Sequence, residues 1–349
     1  MWRTALLLLV LATSACRSAG EAPTADLAQR FDALLSQAAE SGFSGSVLVM
    51  WEGRALVDKG YGFADRQRTR TITPETPFWV ASISKQFTAV AILKLAEQGR
   101  LSLEDPIAKY FPEVPEDKRA VTIHHLLSHK SGLQQKYAAD GITDRGEAVK
   151  ALLREPLAHP PGQGFTYSND GYNLLAAIVE IAAGKSFESY LAENLFSTAG
   201  LKRTGFWGEA SEEPVAEIPG EVPEASLRPN WGFRGATGIS STTGDLYRWH
   251  LALQGDEVLS KESRDKLFFP HHVASPAVTS TYGWFLSPTS RGTRSVWTRG
   301  TESFGHNAIL VSYPEEKIVV VIASNAGDRD RVPASRGLAE ELAKVIFGS

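Results

Sequence analysis

The spacing of apolar residues changes character along the chain. From Ala25 to Gly42, Leu27, Phe31, Leu34 and Leu35 recur at helical intervals, and Gly42 closes the run, which predicts an amphipathic helix. The next stretch, "SVLVMWEGRALVDKGYGFAD", has two β-type runs, Ser46–Trp51 and Arg54–Tyr61, separated by Glu52-Gly53, and reads as a hairpin. The far end mirrors it. "TYGWFLS", "SVWTRG", "HNAILVSY" and "KIVVVIAS" read as strands, the last two joined by Pro314-Glu315-Glu316, and Ala334 to Phe347 reads as a closing helix.

Between about residues 80 and 277 the pattern is mainly helical, broken at Gly99, Pro106, Pro112, Pro115, Pro160-Pro161-Gly162, Gly184 and Gly200. Strands at both ends and helices in the middle predict an α+β fold: one antiparallel sheet from both chain ends flanked by helices, plus an inserted, mainly α-helical lobe. The expected units are a signal segment over 1–16, a linker over 17–25 and one domain over 26–349. In that domain the sheet lobe takes about 26–79 and 278–349, and the helical lobe about 80–277. The Glu- and Pro-rich stretch Glu209–Asn230 reads as an exposed loop. A cleft between two such lobes is a common ligand site.

Composition narrows the partners. A chain that is 43% hydrophobic and 22% charged has the balance of a folded globular protein, not a disordered one. A net charge of −4 without a Lys/Arg-rich run gives nucleic acid no electrostatic footprint. The opening "MWRTALLLLVLATSAC" has the layout of an export signal, with an apolar run too short for a permanent span. Cys16, the single cysteine, follows Thr13-Ser14-Ala15, so the segment resembles a bacterial lipoprotein signal that anchors the chain to a membrane through a lipidated Cys16. Thr13 departs from the usual Leu, and plain export with an incidental cysteine is the alternative. Either way an intrachain disulfide is ruled out.

The candidate chemistry centres on "TPFWVASISKQFTAV". On a helix Ser82 and Lys85, three apart, share a face and form a possible nucleophile and base. The apolar residues that follow put this helix in the core, where burial would lower the pKa of the lysine toward that of a proton acceptor. A helix start at Ser82 would also aim backbone N–H groups at a developing oxyanion. The plainer reading makes Ser82 a helix cap and Lys85 an exposed lysine. A second candidate is Tyr167-Ser168-Asn169, where an extended segment would point Tyr167 and Asn169 the same way, as relay and substrate clamp. Its alternative is a turn tyrosine beside a capping asparagine. His125 and His129 sit four apart, a spacing that metal sites use, but no carboxylate or cysteine cluster accompanies them. Trp231 and Phe233 read as core or cleft lining.

With these motifs in place the chain resembles the serine β-lactamase and penicillin-binding-protein superfamily, in particular its class C β-lactamase-like branch, over about Leu27 to Phe347. "FWVASISKQFTAVAILKLAEQGRLSLEDPIAKYFPE" is similar to its nucleophile helix, "VTIHHLLSHKSGL" to its helix-and-loop signature, "YSNDGYNLLAAIVE" to its Tyr-x-Asn element and "GATGISSTTGDLYRW" to its later Gly-rich turn. The resemblance implies a β-lactamase/transpeptidase-like fold, Ser82 as acylated nucleophile, Lys85 and Tyr167 as proton-transfer partners, and Asn169 as a substrate contact. In that family a further strand carries Lys or His, then Thr, Ser or Gly, then Gly. Here "SVWTRGTESFGHNAIL" sets Arg299-Gly300-Thr301 in that slot when counted back from Gly305, with the N–H of Glu302 completing the oxyanion pair. Slid by one, Thr298-Arg299-Gly300 keeps the glycine, loses the leading cation and moves that N–H to Thr301. The implied protein is an exported cell-envelope hydrolase, without cofactor or metal. It would cleave an amide or ester of a small-molecule or peptide substrate, of D-amino-acid peptide or β-lactam type. A small-ester carboxylesterase and a non-catalytic envelope binding protein of the same fold are the alternatives.

Overall fold

The computed structural model describes residues 22–208, 214–217, 228–301, 305–326 and 335–347. After helix α1 (Ala22–Glu40) come strands β1 (Gly45–Trp51) and β2 (Arg54–Tyr61). Their turn, Glu52-Gly53, has positive φ at both positions, 50° and 77°, the mirror-image turn whose twist suits a two-residue hairpin. β1 then pairs with β11 (Ile318–Ser324), from the far end of the chain. The remaining strands of the large sheet are β6 (His272–Ser275), β7 (Val278–Ser280), β8 (Phe285–Pro288), β9 (Arg294–Thr301) and β10 (Asn307–Tyr313). All eight run antiparallel in the order β2-β1-β11-β10-β9-β8-β7-β6.

Side chains alternate across this sheet, so each central strand feeds two cores. Val47, Val49, Val311, Val320 and Ile322 pack outward against Leu27, Phe31 and Leu35 of α1 and Leu338 and Leu342 of α9 (Ser335–Phe347). Leu48, Leu310, Val319 and Val321 pack inward with the helical lobe. That lobe holds α2 (Ser84–Glu97), α3 (Ile123–Leu127), α4 (Arg145–Leu152), α5 (Asn169–Ala183), α6 (Phe187–Leu191), α7 (Thr243–Ala252) and α8 (Lys261–Leu267). A three-stranded sheet of β3 (Phe78–Trp79), β5 (Ile239–Ser241) and β4 (Gly205–Phe206) sits at its edge. No helix among the described residues is long and apolar enough to cross a membrane.

Several sequence expectations need correction. The run read as helical to 277 also contains β4, β5 and β6: β4 and β5 have partners far along the chain, and β6 pairs with the adjacent β7, and all three are too short to show a local period. The strand expected over 281–287 starts only at Phe285, because the Thr281 N–H bonds to the Trp284 carbonyl at 2.9 Å and closes a turn around Gly283. Helix α1 reaches back to Ala22, inside the expected linker; Pro23 lies in its first turn, where a missing N–H has no consequence. Part of the loop expected to be exposed is held down. Ala216 is buried, and its N–H donates to the Pro77 carbonyl at 2.8 Å.

The core also encloses imidazoles. Burial pushes His129 down to about 3 and His250 and His306 to about 4, and half-buried His271 also falls to about 4, from an ordinary 6.5. Between those values and 6.5 the unfolded chain binds more protons than the native one, so stability is full above pH 6.5 and falls as the pH drops. Asp170, pushed up to about 6 by burial from an ordinary 3.8, works the other way and offsets one of the four. Urea unfolding at pH 7.5 and pH 5.0 should therefore show a clearly lower free energy at pH 5.0; equal stability would contradict the buried neutral state of these histidines.

Candidate active site

The chain leaves β3 with the Val80 N–H bonded to the Ile239 carbonyl at 3.0 Å, then turns sharply through Ala81, a non-glycine residue at φ 49°. Such a conformation costs on the order of 1–3 kcal/mol and persists only where its surroundings fix it. Ser84 supplies much of that fixing. Its hydroxyl donates to the Ala81 carbonyl at 2.7 Å and accepts from the Ile239 N–H at 3.0 Å. The result is a single 3₁₀ turn, Ala81–Ile83, that presents half-buried Ser82 just ahead of α2. Ser82 is thus not itself a cap, and α2 has no side-chain cap at its start.

From Ser84 to Leu93 every residue of α2 is buried, as its apolar character required. Lys85 is 2% exposed. Its Nζ donates to Ser82 Oγ at 3.1 Å, to Asn169 Oδ1 at 2.7 Å and to the Ala236 carbonyl at 3.0 Å. These acceptors are all neutral. The Tyr167 ring lies 4.9 Å from Nζ and lines the same pocket. Asn169 departs from the expected extended segment: Ser168 caps α5 through its hydroxyl, and Asn169 opens the first turn of that helix. Its side chain faces Lys85 and is 1% exposed, so it grips the lysine.

Sequence reasoning weighed His129 only as a metal ligand and set that reading aside, so its place in the site went unseen. α3 ends at Leu127, so His125 and His129 do not share a helix. His125 takes part in the cap of α3, and no group of metal-binding side chains occurs among the described residues. His129 instead has φ 57°, is buried, and accepts the Ser168 N–H at its Nδ1 at 3.1 Å. Its ring lies 4.5 Å from that of Tyr167 and 5.0 Å from that of Tyr172. Burial, with the Lys85 charge nearby, keeps this imidazole neutral. It braces the Tyr167-Ser168-Asn169 segment. Periodicity carries no signal for such a contact, because it joins two loops. Trp231 and Phe233 are core, the latter set edge-on to Trp79 at 5.5 Å.

Strand β9 forms the remaining wall. A methyl group added at Gly300 would lie 2.0 Å from the Val80 carbonyl oxygen and 2.8 Å from the Ser82 nitrogen, so Gly300 is where backbone meets backbone. That contact makes Gly300 the close-approach glycine, the third residue of Thr298-Arg299-Gly300 in one register and the middle residue of Arg299-Gly300-Thr301 in the other. Thr298 is buried against the serine pocket, Arg299 is exposed along its edge, and Thr301 is exposed at the end of the strand. Glu302 lies outside the described residues, as does Cys16. The pocket shared by Ser82, Lys85, His129, Tyr167, Thr298 and Arg299 encloses only about 10 Å³, the room of a single water.

A sequence profile described as Beta-lactamase matches residues 28–343, which span both lobes and every residue of this pocket. The chain belongs to the Beta-lactamase family. Its fold is that of the β-lactamase and penicillin-binding-protein serine hydrolases. The putative penicillin-binding protein PbpX of Bacillus subtilis (strain 168) is 28% identical over 293 residues, 82% of this chain and 71% of that protein. The octameric penicillin-binding protein homologue from Pyrococcus abyssi superposes with a TM-score of 0.77 at 25% identity, over 92% of this chain and 77% of that one. The D-amino acid amidase from Ochrobactrum anthropi SV3 shares the fold, with a TM-score of 0.75 at 22% identity, over 93% and 99% of the two chains.

The contact at residue 300 yields a sharp expectation within this family fold. Gly300→Ala must push β9 away from the serine turn and should destabilise by about 1–3 kcal/mol, as overpacking does. Thr301→Ala, one residue on and exposed, should stay within about 0.5 kcal/mol of wild type. Urea unfolding of both variants checks this; equal losses would contradict the close approach.

Proposed function

We propose that the protein is a serine acyl hydrolase that forms an acyl-enzyme at Ser82 and acts best on small neutral esters or amides. The observation that carries this reading is the hydrogen bonding of Lys85. The form of Lys85 that acts as base is the neutral amine, reached when the ammonium gives up one proton, and it has two hydrogens and one lone pair. Asn169 Oδ1 and the Ala236 carbonyl take the two hydrogens, which leaves the lone pair directed at the Ser82 hydroxyl 3.1 Å away. Ser82 Oγ then attacks the substrate carbonyl carbon while its proton passes to Lys85 Nζ. The carbonyl oxygen, now negative, is held by the N–H of Ser82 and that of Thr301, the partner that follows from Gly300 as close-approach residue. As the bond from the carbonyl carbon to the leaving group breaks, Tyr167 gives its phenolic proton to that group and regains one from Lys85, and water later releases the acyl group by the reverse path.

The preference for neutral substrates rests on Thr298. In the slot facing the serine pocket this chain has a buried hydroxyl where related strands have a cation. A carboxylate-bearing D-peptide or β-lactam is the second reading, and the observation that favours it is Arg299, whose guanidinium can hold a carboxylate at the pocket edge. At the N-terminus we propose export, with Cys16 as the lipidated residue that anchors the protein to a membrane of the cell envelope.

Ser82→Ala should abolish covalent labelling by a fluorophosphonate while the melting temperature stays close to wild type. Labelling of another residue at the wild-type rate would remove Ser82 from its role. Lys85→Ala should slow labelling by about 10²-fold or more, as expected for lost general-base help. The substrate readings separate in kcat/KM on paired nitrophenyl esters with and without a carboxylate. Wild type should turn over the neutral ester faster, and Thr298→Lys should raise the rate on the charged one. A wild-type preference for the charged ester, lost in Arg299→Ala by about 10- to 150-fold, would establish the second reading instead. Cell fractionation tests the anchor: Cys16→Ser should move the protein from the membrane to the soluble or unprocessed fraction, and a soluble wild type would contradict it.

A further inference from the structure

Trp284 is a wall shared by two cavities. On one side it lines the narrow serine pocket; on the other it lines a separate groove of about 470 Å³ between α7 and the inner face of the large sheet. The two spaces differ in size and in chemistry. The groove is walled by Tyr247 and Leu251 of α7, Phe268, Leu286 of β8 and Val296 of β9. Leu251 is 48% exposed there, so the apolar surface continues out to the rim. A volume of this order suits one small ligand and not a two-chain lipid.

The charge of the lining is one-sided. Arg294 and Lys317 contribute cations, and among the described residues no Asp or Glu lines the groove, in a chain whose net charge is −4. Lys317 has Glu52 at 3.7 Å, but both side chains are well exposed, which makes that pair weak. His250 also lines the groove; burial holds its imidazole down to about 4, so at neutral pH it adds a polar atom without charge. An apolar wall ending in two cations matches a ligand with an apolar body and one negative end.

We propose that this groove binds a free, single-chain carboxylic acid of medium length, its chain along Phe268, Leu286 and Val296 and its carboxylate between Arg294 and Lys317. The site is separate from the acyl chemistry at Ser82 and does not depend on it. Trp284 and the neighbouring Phe285, which lines the serine pocket, place the occupant one side chain away from that pocket.

Decanoate titrated into the full chain by calorimetry tests the proposal. One molecule should bind per chain, and Ser82→Ala should bind it equally well. The exposed-rim double variant Arg294→Glu/Lys317→Glu should bind at least about tenfold more weakly, the scale of a lost charge-assisted contact. Val296→Phe should fill the groove and reduce binding likewise, with its melting temperature reporting that the fold is kept. Decyltrimethylammonium, with the same chain and the opposite charge, should bind far more weakly. No binding at millimolar decanoate overturns the proposal, and so does equal affinity for the cationic amphiphile. Wild-type affinity in the rim variant, or loss of binding in Ser82→Ala, overturns it as well, the latter by moving the ligand to the serine pocket.

Discussion

The site depends on a lysine kept out of water. Lys85 sits inside α2, where burial of an amine is unfavourable unless its polar hydrogens and lone pair find partners. Those partners come from three separate places: the turn that carries Ser82, the first turn of α5 that carries Asn169, and the loop before β5 that offers the Ala236 carbonyl. Each must be correctly placed for the amine to face the serine. The packing of the helical lobe is therefore also the alignment of the candidate chemistry, and His129 extends that alignment to Tyr167.

The second constraint is the approach of the sheet to the serine turn. Ala81 holds a left-handed conformation, the two bonds of Ser84 stabilise it, and Gly300 lets β9 close against it at backbone distance. A strained turn before the hydroxyl and a bare backbone opposite it leave the N–H of Ser82 facing a strand edge. This is the arrangement in which backbone dipoles can stabilise developing negative charge without reorganising.

Much of this was legible in the sequence. The hairpin followed from Glu52-Gly53, the central strands from the apolar β-type runs of β1, β10 and β11, and the burial of α2 from its unbroken apolar run. Ser82 and Lys85 came from spacing, and their proximity in space agrees with it. Other features had no local signature. The short strands β3, β4 and β5 are fixed by distant partners. Asn169 looked extended because Ser168, the cap, hides where the helix begins. Counting from Gly305 could not show that Gly300 is the point of closest approach to the serine turn, a contact visible only in three dimensions. His129 was missed as a brace because its partners, Ser168 and Tyr167, are brought to it by a loop.

The central claim is that Lys85 and the Gly300 contact together make Ser82 an acylating group with its oxyanion held by the backbone. A crystal structure of the protein after reaction with a fluorophosphonate tests it most directly. The account predicts phosphorus bonded to Ser82 Oγ, with a phosphonyl oxygen within about 3.2 Å of the N–H groups of both Ser82 and Thr301. Lys85 Nζ should remain held by Asn169 and Ala236. An adduct on another residue, or a Ser82 adduct whose oxygen meets no backbone N–H from β9, would contradict it.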